Sequence, residues 1–269
     1  MRPHLCLLVL APIGAGCSSW PGFDRPHAEA GAYLALYTLH GRASMQSPGA
    51  QGPTDNAAMR LSEFGVGDRD DDVGGYLTLG DGFSGAELNY FKLTMADTEP
   101  GALSAGFGVL QANELVTSDV EMDEWRLRYV AKLLEHAFDN RVRVEFGGGV
   151  AIAHRRLDFS VKRDTGDGQS FTAEDNGVPY VFGRLRGSYG AASLNLDWAY
   201  VDGIGFGRDF DGRMQDVEVT GRYGFGAQDA TIFAGYRYTE LPAQGREGGL
   251  AYRADLRLEG FQVGMQVRF

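Results

Sequence analysis

Beyond residue 17 the chain contains no cysteine; Cys6 and Cys17 are its only two. The body therefore has neither a disulfide framework nor a thiolate metal site. Proline is scarce, at nine residues. No window approaches 18 consecutive apolar residues, which excludes a membrane-spanning helix. Positive charge is in deficit: 25 Lys and Arg face 36 Asp and Glu, for a net charge of -11. Nucleic-acid phosphates repel such a chain, so nucleic acid is not an expected partner, and solvated acidic loops account for the excess. Histidine is limited to His4, His27, His40, His136 and His154, which leaves few general bases.

What is abundant is glycine, at 39 residues, with aromatics at 12%. That pairing suits an all-β protein with many turns. The chain is 43% hydrophobic with a mean hydropathy of -0.23, so its apolar residues are interleaved with polar ones.

The chain starts "MRPHLCLLVLAPIGAGCSSW". Arg2, a short apolar run over Leu5–Ile13 and small residues after it have the layout of a secretory signal over 1–17, too short to span a bilayer. "GAGC" resembles a bacterial lipobox. Ala15 and Gly16 fit it, whereas Gly14 stands where the pattern prefers Leu. The resemblance implies lipidation of Cys17, with Ser18 and Ser19 permitting sorting to the outer membrane; the alternative is an ordinary cleaved signal. Residues 18–56 hold Pro, Gly and Ala without a sustained period and read as a periplasmic linker. Within them "AYLALYTL" (32–39) is ambiguous between helix and strand.

From about residue 57 the chain alternates apolar and polar positions. Trp125, Leu127, Tyr129, Ala131 and Leu133 interleave with Glu124, Arg126, Arg128 and Lys132. Val142, Val144 and Phe146 interleave with Arg141, Arg143 and Glu145. Similar rows lie in 191–204, 214–225, 229–241 and 249–258. Alternation of period two gives strands with one apolar and one polar face. Strands of ten or more residues exceed the usual length of about five or six and match the tilted strands a bilayer needs. Short connections near 80–83, 135–140, 188–191 and 225–228 alternate with longer ones near 67–72, 96–117, 162–177, 205–213 and 242–249. The segmentation predicts ten strands, beginning near 57, 72, 84, 118, 140, 178, 191, 214, 229 and 249. The final stretch is difficult. Its apolar residues occupy even positions before Glu259 and odd ones after Gly260, so Glu259-Gly260 is either a bulge or a hairpin, and the count ranges from 8 to 12. Residues 153–157 show a similar switch.

The end, "FQVGMQVRF", carries the resemblance to a family best. Phe261, Val263, Met265, Val267 and the terminal Phe269 resemble the signal read by the barrel-assembly machinery of Gram-negative bacteria. Over 57–269 the chain resembles small outer-membrane β-barrels. The resemblance implies an all-β, transmembrane, antiparallel up-and-down barrel in the outer membrane, with outer-membrane lipids, lipopolysaccharide and the assembly machinery as partners. It names no cofactor and leaves the oligomeric state open. Trp125, Tyr129, Trp198, Tyr200, Tyr223, Phe225, Tyr236 and Phe269 are candidate girdle residues.

By parity the inward row holds Glu87, Glu124, Arg126, Arg128, Lys132, Arg141, Arg143, Glu145, Arg184, Arg186, Asp197, Asp216, Glu218, Arg222, Arg237, Arg253, Asp255 and Arg257. Two readings follow: a narrow channel for small polar or anionic solutes, and a non-transporting structural or surface-interaction barrel plugged by salt bridges. A third, a lipid-modifying enzyme, needs His154 as base; its surroundings, "AHRRLDF", hold no paired serine. No catalytic or metal residue is assigned. "DRDDD" (68–72) opens like a calcium loop, but Val73 and Leu79 stand where that loop needs Gly and Glu. "GIGFG" (203–207) and "DFDG" (209–212) read as flexible loop.

Overall fold

The computed structural model describes residues 27–66, 70–96, 99–138, 141–163, 165–174, 177–201, 214–225 and 229–269. Its strands are β1 (His27–Met45), β2 (Met59–Arg60), β3 (Asp70–Gly80), β4 (Gly85–Ala96), β5 (Gly101–Ala102), β6 (Leu115–Ala137), β7 (Val142–Lys162), β8 (Gly168–Glu174), β9 (Val178–Tyr189), β10 (Ala192–Val201), β11 (Met214–Phe225), β12 (Ala230–Glu247) and β13 (Leu250–Arg268). A 3-10 turn covers Leu61–Phe64.

Ten of these strands close on themselves. The antiparallel order is β6-β4-β3-β1-β13-β12-β11-β10-β9-β7, and β7 pairs back onto β6. β2, β5 and β8 are short additions to the wall. The chain is therefore a ten-stranded up-and-down barrel, closed so that no edge is left open. Both ends of the ring lie together, because Glu29 of β1 is the Cα partner of Arg268 and the Phe269 N–H donates to the Ala28 carbonyl.

The expected count holds, but its first strand is elsewhere. Residues 57–66 form only β2 and the 3-10 turn, while β1 runs through 27–45, inside the segment expected to be a linker. The outward row of β1 starts with Ala28, Ala30 and Ala32, which are too small to stand out as an apolar row. His27 and His40 therefore belong to the wall. The long connection expected at 242–249 is also corrected. β12 continues to Glu247, and Gly248-Gly249, with φ of 58° and 85°, turns directly into β13. Two consecutive positive φ values make the tight hairpin turn that glycine permits.

β13 answers the question raised by Glu259-Gly260. It is one strand, paired without a register shift to β1 and to β12. Even residues point inward along its whole length: Tyr252, Leu256, Leu258, Gln262 and Gln266 are all buried. What switches is the chemistry of the two faces, not their direction. Above Gly260 the outward residues are Arg253, Asp255, Arg257 and Glu259; below it they are Phe261, Val263, Met265 and Val267, between 41% and 62% exposed. β7 does the same. Val150 and Ile152 face outward below, then His154, Arg156 and Asp158 above, while Ala153, Leu157 and Phe159 fill the inside. Gly260 sits at the crossover, where a Cβ would lie 2.1 Å from the Leu36 carbonyl oxygen.

Strand length explains the exchange. A 19-residue strand rises about 3.3 Å per residue and tilts by about 40°, so it stands about 45–50 Å tall against an apolar band of about 25 Å. The upper part of the wall therefore meets water. There the outward face is polar, and the interior can be an apolar core as in a soluble protein. Leu61 and Phe64 of the 3-10 turn, Leu103, Phe107 and Leu110 of the 99–114 segment and Phe171 of β8 enter this mouth. Phe64 meets Phe107 and Phe159 edge-on at 5.0 and 5.2 Å, and Phe171 stacks on Tyr252 at 4.3 Å. Gly101 admits the close crossing: a Cβ would lie 2.3 Å from the Gly65 nitrogen.

The belt assignment makes a test. Val263→Arg, at the middle of the lipid-facing row, should destabilise the barrel by about 2–4 kcal/mol. Ser160→Arg, outward on β7 but above the belt, should change stability by no more than about 0.5 kcal/mol. Urea unfolding in lipid vesicles measures both.

Candidate functional site

The candidate site is the barrel interior at the level of the belt. Alternation on strands with an apolar outer row forces polar residues inward, and there they meet across the lumen. Arg126 Nη1 lies 2.9 Å from Asp216 Oδ2, and Arg237 Nη2 lies 2.7 Å from Glu124 Oε1. Arg155 Nε donates to Glu124 Oε2 at 2.6 Å. Arg128 reaches Glu87 at 2.9 Å and Asp197 at 3.1 Å. Arg184 grips Asp197 with Nε and Nη2, both at 2.7 Å, and also donates Nη2 to Glu87 at 3.0 Å. Glu218 links the two halves, 3.6 Å from Arg126 and 3.9 Å from Arg128.

Five arginines and five carboxylates thus form one connected, electrically balanced layer drawn from β4, β6, β7, β9, β10, β11 and β12. Some pairs join neighbouring strands, as Glu87–Arg128 and Asp197–Arg184 do, and others cross the lumen between strands that are not neighbours, from β6 to β11 and β12. Taking such ions out of water costs several kcal/mol each, which only opposite charges and directed hydrogen bonds offset. The planar guanidinium fork suits this task, as at Arg184. Aromatic faces complete the shells, with Arg237 5.2 Å from the Phe91 centroid and Arg128 5.6 Å from that of Phe182. β1 and β13 join through Tyr37, which donates to Gln262 at 3.0 Å, and Gln262, which donates to Glu218 at 2.8 Å.

Below this layer, Glu29 accepts from Gln266 at 2.9 Å and from Arg268 at 3.1 Å, Lys132 pairs with Glu145 at 3.2 Å, and Arg186 donates to Asn195 at 2.7 Å. A cavity beside Arg126, Tyr180 and Asp216 and another beside Glu29, Phe83 and Arg222 measure about 10 Å³ each. Each has room for about one water.

Of the residues expected to line the lumen, Glu87, Glu124, Arg126, Arg128, Arg184, Asp197, Asp216, Glu218 and Arg237 meet in the layer. Lys132, Glu145, Arg186 and Arg222 face inward below it. Arg143 lies at the rim, 54% exposed and 3.2 Å from Glu135, and Arg141 is an exposed residue preceding β7. Arg253, Asp255 and Arg257 are corrected: they point outward above the belt, with side chains 63%, 59% and 45% exposed. Their apolar neighbours face inward because the wall has left the membrane. Arg155 and Glu29 escaped the sequence reading. Carrying the odd-numbered frame of Glu145 through 153–157 would have found Arg155. Glu29 lay in the supposed linker.

His154 projects from the outer wall, its Nε2 3.8 Å from Glu174, and not into the lumen. Asp72 accepts the Thr94 N–H at 2.7 Å. Among the described residues no group of three or more His, Cys, Asp or Glu is placed to hold a metal ion. Cys17, Asp68 and the 203–212 glycine and aspartate motifs lie outside the described residues. Phe261, Val263, Met265 and Val267 lie in the lipid-facing row, and Phe269 is exposed at the periplasmic end. The eight candidate girdle residues, Trp125 and Trp198 among them, are all outward and exposed. Beside the mouth, the Ser104 side chain and the Arg60 backbone N–H hold the Glu63 carboxyl below its ordinary range.

A closed ring, an outward apolar belt and a polar interior define a transmembrane β-barrel, and the chain is a bacterial outer-membrane protein of that class. No family model matches the sequence, and no curated protein matches it. Solved structures similar to it include the outer membrane protease OmpT from Escherichia coli (12% identity, 94% of this chain and 100% of that chain, TM-score 0.44). Neisserial surface protein A is similar at 12% identity over 93% of this chain and 100% of that one, with a TM-score of 0.34. A FadL homologue from Pseudomonas aeruginosa is similar at 9% identity over 91% and 90%, with a TM-score of 0.34.

Arg237→Ala leaves the buried layer one positive charge short, with Glu124 held only by Arg155 and Arg126 and Asp216 only by Arg126, and should cost about 3–5 kcal/mol of unfolding free energy. Arg253→Ala, in an exposed pair, should cost no more than about 1 kcal/mol. Denaturant titration of the two variants in vesicles checks this contrast.

Proposed function

We propose that this protein is a non-transporting barrel: a sealed pillar that carries a polar collar above the outer leaflet for structural or surface-interaction work. The charge layer that bridges opposite walls carries this reading. A water path through the lumen would have to break buried pairs such as Arg126–Asp216 and Glu124–Arg237, at about 3–5 kcal/mol for each pair left half-broken. It would also have to displace the aromatic stopper around Phe64 and Phe107. A channel selective for anions would gain its selectivity from an unbalanced ring of arginines. Here each arginine of the layer has carboxylate partners, which favours the plugged barrel over the pore.

Above the belt the outer wall is laced with exposed ion pairs, including Arg156–Asp158 at 2.8 Å, Lys162–Asp119 at 3.6 Å and Arg253–Asp255 at 3.4 Å. Such pairs add little stability, and their density gives the collar a hydrated, mixed-charge surface. His154 stands among them, away from any enclosed cavity lined by the charge layer, which counts against the lipid-modifying reading.

The full chain reconstituted in planar bilayers should give no openings above the lipid baseline. Discrete, reproducible conductance steps from the unaltered chain would overturn the sealed-barrel reading.

A further inference from the structure

Below the balanced layer two arginines face inward on either side of β10: Arg186 of β9 and Arg222 of β11. Their ladders are complete on both sides. Arg186 stands between Glu145 of β7 and Asn195 of β10, and Arg222 between Ser193 of β10 and Phe233 of β12. The charge that acts most strongly on Arg186 is the like charge of Arg222, ahead of Arg184 and of the carboxylates Glu145 and Glu87.

The carboxylates near this pair are held by other cations. Glu145, directly opposite Arg186, takes Lys132 at 3.2 Å. Glu29 and Glu87 line a small cavity together with Arg222. Glu29 accepts from Arg268 at 3.1 Å and Gln266 at 2.9 Å, and Glu87 from Arg128 at 2.9 Å and Arg184 at 3.0 Å. Among the described residues, Arg186 and Arg222 make no ion pair. Arg186 donates Nε to Asn195 Oδ1 at 2.7 Å and lies 5.2 Å from the Phe83 centroid. The Nε of Arg222 is buried and has no hydrogen-bond partner. A guanidinium taken partly out of water without a counter-charge is costly, and two side by side are more so.

Alternation on β10 turns Ser193 and Asn195 inward between the two arginines. Asn195 is buried. Its Oδ1 is taken by Arg186, so its amide nitrogen remains as a donor. Two guanidinium forks, an amide and a hydroxyl therefore border one corner of the lumen from three successive strands. Arg184, bound to Asp197 and Glu87, closes this corner above. Below it Gly190, with a φ of 58°, turns β9 into β10 at the periplasmic end. The corner is small. Its outer strands stand about 10 Å apart, and the cavity beside Arg222 measures about 10 Å³, room for one water-sized species.

We propose that this corner binds one small inorganic anion from the periplasm, held between Arg186 and Arg222. The site lies beneath the charge layer and does not depend on whether that layer conducts, so bilayer recordings and anion binding test separate claims.

Chloride line broadening in NMR of the detergent-purified full chain tests it, with chloride and inorganic phosphate as probes. The folded barrel should broaden the chloride signal. The double variant Arg186→Gln/Arg222→Gln should bind chloride about tenfold or more weakly, as expected for the loss of charge-assisted hydrogen bonds. Arg143→Gln, at the exposed rim, should leave the broadening unchanged. Reversal by phosphate at constant ionic strength would assign the site to an oxyanion, and persistence to a halide. Heat-dependent gel mobility reports that each variant is a folded barrel. Bromide-soaked crystals of the unaltered chain should show an anomalous peak between the two guanidinium groups, a readout that needs no variant. Equal broadening by the unaltered chain and the glutamine variant would mark ions gathered on exposed basic residues and overturn the proposal, as would the absence of that peak.

Discussion

In hydrocarbon every unpaired backbone N–H or C=O costs several kcal/mol, so a strand can cross a membrane only inside a closed ladder. The pairing of β6 with β7, from Thr117–Lys162 down to Ala137–Arg143, closes that ladder here. Everything else depends on the closure. It makes one face of every strand an outer wall and the other the boundary of a lumen about as wide as two long side chains. The strands of the ring pair antiparallel, and its two ends meet at Glu29 and Arg268.

The lumen has to be filled, and its filling changes with height because the outer solvent changes. At belt level lipid claims the apolar row, and the inward row becomes a neutral lattice of arginine and carboxylate. Above the belt water claims the polar row, and the inward row, with Phe91 and Phe159, forms an apolar core with Phe64 and Phe107 of the inserted segments. The protein is thus a membrane barrel in its lower part and a water-exposed barrel in its upper part, with continuous strands through both. Arg237 sits at the junction, bonded to Glu124 and lying over Phe91.

Much of this was legible beforehand. Ten strands, the short periplasmic turns and most of the inward charges follow from alternation and glycine-rich turns. Most of the failures share one physical cause: reading an apolar row as the lipid-facing row at every height. Under that assumption Arg253, Asp255 and Arg257 were sent into the lumen, Arg155 was left out of it, and Glu259-Gly260 needed a bulge or a hairpin. Side-chain direction never changed at any of these places. β1 was missed for a different reason, since alanines on its outer row carry too little apolar surface to mark a strand.

The sequence by itself determined which residues share a side of the wall. Period two is a property of the local backbone, and no distant contact alters it. It also determined that the chain would be a barrel, because polar and apolar rows of such length have no other place to go. Only the tertiary structure decided which side meets lipid at a given height and which arginine meets which carboxylate. Those choices depend on partners far away in the chain, such as Glu124 and Arg237, 113 residues apart. Their distance across the lumen is set by closure of the ring and by no local pattern.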